Sequence, residues 1–213
     1  MILNADIAKQ IAKSLLQIKA VILQPNNPFT WASGWSSPIY CDNRITLSYP
    51  EVRTYIRQEM AQGVVENYGK PDVIAGVATG AIAHGMMVAQ ELGIPFIYVR
   101  ASNKGHGRQN LIEGKAESGQ SVVVIEDLIS SGKSSLAAVN ALREVGIDVK
   151  GMAAIFTYGF EAARQNFINA DCELFTLGDY DSLIEQALAA RYVSQNEAAI
   201  LKDWRKDPSN WKK

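Results

Sequence analysis

Cysteine is nearly absent. The chain carries two, Cys41 and Cys172, far apart and without metal-ligand spacing, so reduced thiols are the expectation and a disulfide framework or cysteine-built metal site is not. Net charge is also missing: 21 Lys and Arg stand against 22 Asp and Glu, a formal balance of −1, which removes any general electrostatic case for nucleic-acid binding. No apolar run approaches membrane-spanning length, and the N-terminus lacks the basic, apolar and small-residue series of a signal peptide. Repeats, low-complexity tracts and long linkers are absent as well. What remains is 213 residues, 47% of them apolar, enough for one substantial core. The expectation is a single domain over residues 1–213, soluble and cytoplasmic, with no membrane and no nucleic acid as partner.

The most informative stretch is Val122–Ser135, VVVIEDLISSGKSS. Its all-apolar opening, Val122 to Ile125, suits a strand buried on both faces of a parallel sheet. Two acids, Glu126 and Asp127, stand where that strand is expected to end. A small turn, Ser130-Ser131-Gly132, then leads into a helical pattern from Lys133. Open parallel sheets bind ligands beyond the carboxyl ends of their strands. A turn feeding a helix N-terminus aims backbone N–H groups and a positive dipole end at an anion. The segment thus offers a phosphate cradle beside two acceptors for a pair of hydroxyls, which is the chemistry of a phosphorylated sugar. Gly132-Lys133-Ser134 also reads as the end of a nucleotide-binding P-loop. That pattern needs a glycine five residues earlier, where Asp127 stands, so it fails.

VVVIEDLISSGKSS resembles the signature of type I phosphoribosyltransferases. The resemblance implies that Glu126 and Asp127 hold ribose hydroxyls. It further implies that the loop Leu128, Ile129, Ser130, Ser131, Gly132, Lys133 and Ser134 holds the 5′-phosphate of phosphoribosyl diphosphate. This motif identifies the donor and leaves the acceptor base open.

Along the rest of the chain, Ile7, Ile11, Leu15, Ile18 and Ile22 recur at three- and four-residue steps, predicting an amphipathic helix from Asn4, its N-cap, to Ile22. After the turn cluster Pro25–Pro28, the segment Phe29–Asp42 reads as a short irregular antiparallel pair. Its two tryptophans, Trp31 and Trp35, fit either a flat pocket for an aromatic ring or a hydrophobic cover over one end of the sheet. Ser48 and Glu51 form a capping-box pattern ahead of a helix running to about Gly69. A strand from Asp72 to Val77 follows, with the turn Ala78-Thr79-Gly80 and a helix from about Ala81 to Leu92. That turn is either a second anion seat or a tight connection. His84, inside the helix, reads as a packed residue.

Ile94 to Val99 is the next strand. The twenty residues from Ala101 to Gln120 lack periodicity and mix glycines with Lys104, His106, Arg108 and Lys115, just beyond Arg100; a binding loop for anions and a solvated loop both fit. Strands at about Val149–Phe156 and Cys172–Leu177 and helices at about Lys133–Val145, Asp179–Ala190 and Ser194–Lys206 complete the pattern. The last helix has a capping box, Ser194 with Glu197. Alternating strands and helices predict an α/β fold with a mostly parallel sheet of about five strands over residues 72–177, helices at 179–206 and a small N-terminal hood, mainly 1–45.

FTWASGWSSPIYCDNR resembles the hood of orotate phosphoribosyltransferases, and Arg-x-x-x-Lys-x-His-Gly, Arg100 through Gly107, resembles their catalytic lid. The ending EAAILKDWRKDP is similar to their tail. These likenesses imply a type I phosphoribosyltransferase fold and transfer of phosphoribose to orotate, in pyrimidine biosynthesis. They imply Lys104 and Asp127 as catalytic residues, and Arg100, Lys104 and His106 as cations for the diphosphate. Ser130 and hood amides are the candidates for orotate. The same resemblance implies Mg²⁺ on the donor and a homodimer whose Lys104 reaches the neighbouring active site. The chain departs from the family pattern at Ala32 and Ala101, where many members carry lysine, and at Thr157–Phe160, where some carry arginine. Two alternatives remain at this level: transfer to another base, or a non-catalytic sensor of phosphoribosyl diphosphate. The sensor would need a basic winged-helix region, and the first 70 residues show no basic face.

Overall fold

The computed structural model describes residues 2–31, 34–100 and 111–211. Helix α1 (Ala5–Gln17) opens on Asn4, whose Oδ1 accepts from the amides of Asp6 at 2.7 Å and Ile7 at 3.4 Å. It stops earlier than the periodicity predicts. Ile22 belongs to β1 (Val21–Leu23), paired antiparallel with β4 (Ile39–Cys41), and that pairing captures a branched run that suits a strand as well as a helix face. Between them, β2 (Phe29–Thr30) and β3 (Ser36–Ser37) form the expected antiparallel pair.

A 3₁₀ turn over Asn43–Ser48 leads into α2 (Pro50–Tyr68). The capping box predicted at Ser48 does not form. Tyr49 is the N-cap and makes no side-chain cap bond, because Pro50 at the first helical position needs no N–H partner and presets the backbone angle. β5 (Val73–Val77), α3 (Ile82–Leu92), β6 (Phe96–Val99) and β7 (Ile112–Glu113) follow. The second half holds β8 (Ser121–Ile129), α4 (Lys133–Glu144), β9 (Asp148–Thr157), α5 (Glu161–Asn169), β10 (Leu174–Asp179), α6 (Tyr180–Ala189) and α7 (Gln195–Lys206). The capping box at the start of α7 is present, with Ser194 and Glu197 bonded in both directions.

One sheet has the order β10-β9-β8-β5-β6-β7. Its first five strands run parallel, as predicted, and the short β7 adds an antiparallel edge that two residues are too few to announce. β8 lies inside the sheet, and its alternate residues feed two cores. Val123 and Ile125 pack with α1, α2, α3, α6 and α7, while Val122 and Val124 pack with α4 and α5. A strand covered on both faces loses the polar alternation of a one-sided sheet, which accounts for its unbroken apolar run.

β8 is also longer than predicted. It continues through Glu126 and Asp127 to Ile129, because β9 runs alongside and offers Phe156 and Thr157 as partners for Leu128 and Ile129. The two acids therefore stand within the strand rather than after it.

Candidate active site

β8 gives way to Ser130, Ser131 and Gly132, and α4 begins at once. Gly132 has φ of +74°, and a Cβ there would lie 2.6 Å from Cε2 of Phe167 on α5; both facts require glycine. From the same helix, Asn166 Nδ2 donates to the Ser131 carbonyl at 2.9 Å and braces the loop from behind. The Ile129 carbonyl accepts from the Tyr158 amide at 3.1 Å. The N-cap Gly132 offers no side chain, and only a long bond at 3.5 Å from the Lys133 amide to Ser131 Oγ reaches the first turn, so its amides and positive dipole end face the loop, an arrangement that suits an anion. Of the loop residues, Ile129 is buried in the core, Leu128, Ser130 and Ser131 are half-buried, and Lys133 and Ser134 are exposed.

The neighbouring acids have unlike surroundings. Glu126 is 5% exposed, its Oε2 accepting from Ser135 Oγ on α4 at 2.8 Å and its Oε1 from the Asp127 amide at 2.9 Å. Burial above all, then the adjacent Asp127 charge, push its carboxyl up to about 8. Asp127, the next residue of an alternating strand, is half-buried on the hood side. Its carbonyl accepts from Asn43 Nδ2 at 2.6 Å. Its charge reaches Cys41, whose thiol is pushed up first by burial and then by Asp127. The sequence offered two equivalent acceptors. The fold turns one into helix α4 and leaves the other beside the hood.

β5 ends next to β8, with Gly76 opposite Ile125, and its following turn lies against the acid. A Cβ on Gly80 would collide with the Asp127 carboxylate, so glycine there allows the two strand ends to meet. His84 on α3 is 1% exposed. Thr46 Oγ1 donates to the Asn43 carbonyl at 2.6 Å and lies 3.3 Å from His84 Nε2, which assigns the ring proton to Nε2. Burial lowers the pKa of His84, in keeping with a packed, neutral ring.

Arg100 follows β6, its amide bonded to the Leu111 carbonyl at 2.9 Å and its Nε 3.4 Å from Glu113 Oε1. Lys104 and His106 lie outside the described residues.

Between the hood, the β8 loop and the chain's end is a cavity of about 720 Å³. Trp31, Trp35, Tyr158, Ser130, Lys133 and Arg205 are among its walls. Trp31 and Trp35 stack with centroids 6.4 Å apart at 18°, and Trp31 meets Tyr158 at 5.2 Å. Trp31 packs on the core, as the cover reading expects, and also lines the cavity. The tail was not legible as part of the site. Trp204, fully buried, donates from Nε1 to the Ser36 carbonyl at 3.2 Å and brings the residues that follow it to the cavity rim. The sequence signals there were the likeness of EAAILKDWRKDP to the family tail and a tryptophan among charges near the end of α7.

The family model described as "Phosphoribosyl transferase domain" matches residues 50–173. The orotate phosphoribosyltransferase of Porphyromonas gingivalis is 55% identical over 205 residues, 96% of this chain and 98% of that protein. The orotate phosphoribosyltransferase of Phocaeicola vulgatus is 54% identical over 203 residues, 95% and 96% of the two chains. Among solved structures, orotate phosphoribosyltransferase from Aeropyrum pernix superimposes with a TM-score of 0.75 at 26% identity, over 86% of this chain and 99% of that one.

Proposed function

This chain belongs to the orotate phosphoribosyltransferase family, and we propose that it transfers the phosphoribosyl group of phosphoribosyl diphosphate to orotate in pyrimidine biosynthesis. A ring nitrogen of orotate bonds to the anomeric carbon and gives up its proton. The bond from that carbon to the diphosphate oxygen breaks, and orotidine 5′-monophosphate and pyrophosphate leave. The observation that carries the reading is one junction: a helix N-terminus suited to a phosphate, an aromatic-walled cavity lined by Leu128, Ser130, Ser131 and Lys133 of the same loop, and Asp127 immediately before that lining.

The chemistry sets the roles. Breaking the anomeric bond spreads positive charge over the ribose ring and negative charge over the departing diphosphate, so fixed anions belong near the first and cations near the second. Asp127 faces the sugar and accepts from its hydroxyls. Glu126, buried and protonated up to about pH 8, stands behind Asp127 against α4, held by Ser135, and is not a second anion. Backbone amides from Leu128 to Ser134 seat the 5′-phosphate, and Ser130 reaches the base. Arg100, Lys104 and His106 draw off the diphosphate, and Lys104 serves the neighbouring site of a cytoplasmic homodimer.

Among the described residues, no three His, Cys, Asp or Glu side chains gather as a metal site. One or two carboxylates together with phosphate oxygens and water suit Mg²⁺, so Asp127 fits an ion carried in on the donor. Once bound, Mg²⁺ would supply charge neutralisation at the diphosphate.

The test is turnover of orotate, adenine, hypoxanthine and uracil in parallel with phosphoribosyl diphosphate and Mg²⁺. Pyrophosphate release with orotate well above the rest is expected. Release with a different base, or with none, overturns the proposal.

A further inference from the structure

Three cations among the described residues line the cavity: Lys133, Arg205 and Lys206. Lys133 stands in the first turn of α4, at the phosphate seat. Lys206 is an exposed side chain whose near partner is Asp203 at 3.5 Å. Arg205 differs from both because it is fixed. Its Nη1 donates to Asp181 Oδ2 at 2.7 Å, and its Cζ sits 5.4 Å from the centroid of the Tyr180 ring. Its side chain is 30% exposed.

The segment between β9 and α5 runs beside it. Gly159 there has φ of +67°, which favours glycine, and a Cβ at that position would be in ordinary contact with Arg205 Nη1 at 3.6 Å.

A guanidinium has five N–H donors in a planar fork, and Asp181 takes one at Nη1. Such a fork matches a carboxylate in two parallel bonds, which a lysine cannot do. The same cavity has Trp31 and Trp35 among its walls, with the buried Tyr158 ring packed against Trp31, so its aromatic side suits a ring. A planar ligand laid against that side with its carboxylate turned to the tail would satisfy both walls at once.

We infer that Arg205 is the specificity-determining residue that recognises the carboxylate of the planar acceptor base. This rests on the proposed function and deepens it: the ring is held by the hood, and the charge that separates orotate from an uncharged pyrimidine is read by the C-terminal helix. Asp181 and Tyr180 act as positioning residues for the fork.

The experiment is steady-state kinetics of the full chain with orotate and with uracil, for the wild type, Arg205→Ala and Arg205→Lys. Loss of one charge-assisted contact raises the KM for orotate roughly ten- to hundredfold in Arg205→Ala. KM for phosphoribosyl diphosphate stays within about twofold, since the donor is held elsewhere. The preference for orotate over uracil falls by the same factor, and Arg205→Lys restores part of it. A merely structural arginine would move both KM values or neither. Should Arg205→Ala not fold, as judged by circular dichroism, Arg205→Lys and Arg205→Gln carry the comparison. An unchanged KM for orotate with unchanged preference in a folded variant overturns the inference and leaves the proposed function standing. A wild type that does not turn over orotate overturns both.

Discussion

Asn43, 1% exposed, donates its side-chain amide to the carbonyl of Asp127 at 2.6 Å, across 84 residues of chain. Through this bond the hood fixes the peptide that carries Asp127, the residue proposed to face the sugar. Asn43→Ala leaves a buried carbonyl without its donor, at a cost of about 1–3 kcal/mol in stability. Displacing a catalytic group by a fraction of an ångström is expensive, and kcat is expected to fall roughly tenfold or more. Urea unfolding and initial rates, measured on the same preparation, check both. A variant that loses stability and keeps its kcat would show that the hood does not position Asp127.

Gly132 carries a second prediction. Its positive φ and the nearness of Phe167 make Gly132→Ala unfavourable twice over. The strained backbone alone costs about 1–3 kcal/mol. Where the loop relieves that strain by moving, the phosphate seat moves with it, so the KM for phosphoribosyl diphosphate rises while orotate, bound to the hood, is less affected. Equal KM values in variant and wild type would remove the loop from donor binding.

Glu126 makes stability depend on pH. In the folded chain its carboxyl keeps its proton up to about pH 8, whereas the unfolded carboxyl loses it near the ordinary 4.5. Between those values the folded state binds the extra proton, so this group's contribution to stability declines as pH rises. Glu126→Gln keeps the shape and removes the titration. Its Tm should exceed that of the wild type by a few degrees at pH 8, with the gap closing toward pH 5. A gap that is constant across that range would mean that Glu126 is ionised in the fold.

Asp127→Asn removes the charge and keeps the hydrogen-bonding outline. If the carboxylate faces charge that develops in the transition state, kcat drops by about 10²–10³ with the KM for the donor little changed. Loss of donor binding at constant kcat would make Asp127 a simple binding group.

The order of elements was legible wherever one local signal dominated. Asn4 capped α1, Ser194 and Glu197 closed their box, and the apolar run from Val122 to Ile125 became a strand covered on both faces. Ser48 misled because Pro50 starts its helix without a side-chain cap, and Ile22 misled because β4 offered a partner that no local pattern records. The site divides in the same way. Glu126, Asp127 and the loop to Ser134 are contiguous, so a sequence motif could single them out. Asn43 and Gly80 meet Asp127, and Trp204 meets the hood, from distant parts of the chain. Their roles exist only once the hood, the β5 turn and α7 have converged on the end of β8.

The most direct measurement is a crystal of the full chain soaked with phosphoribosyl diphosphate and Mg²⁺. The account predicts the 5′-phosphate on the amides of Ser130 to Ser134, the ribose hydroxyls on Asp127, and the anomeric carbon turned toward the cavity walled by Trp31 and Trp35. Donor density with its 5′-phosphate away from that loop, or its ribose away from Asp127, would contradict it.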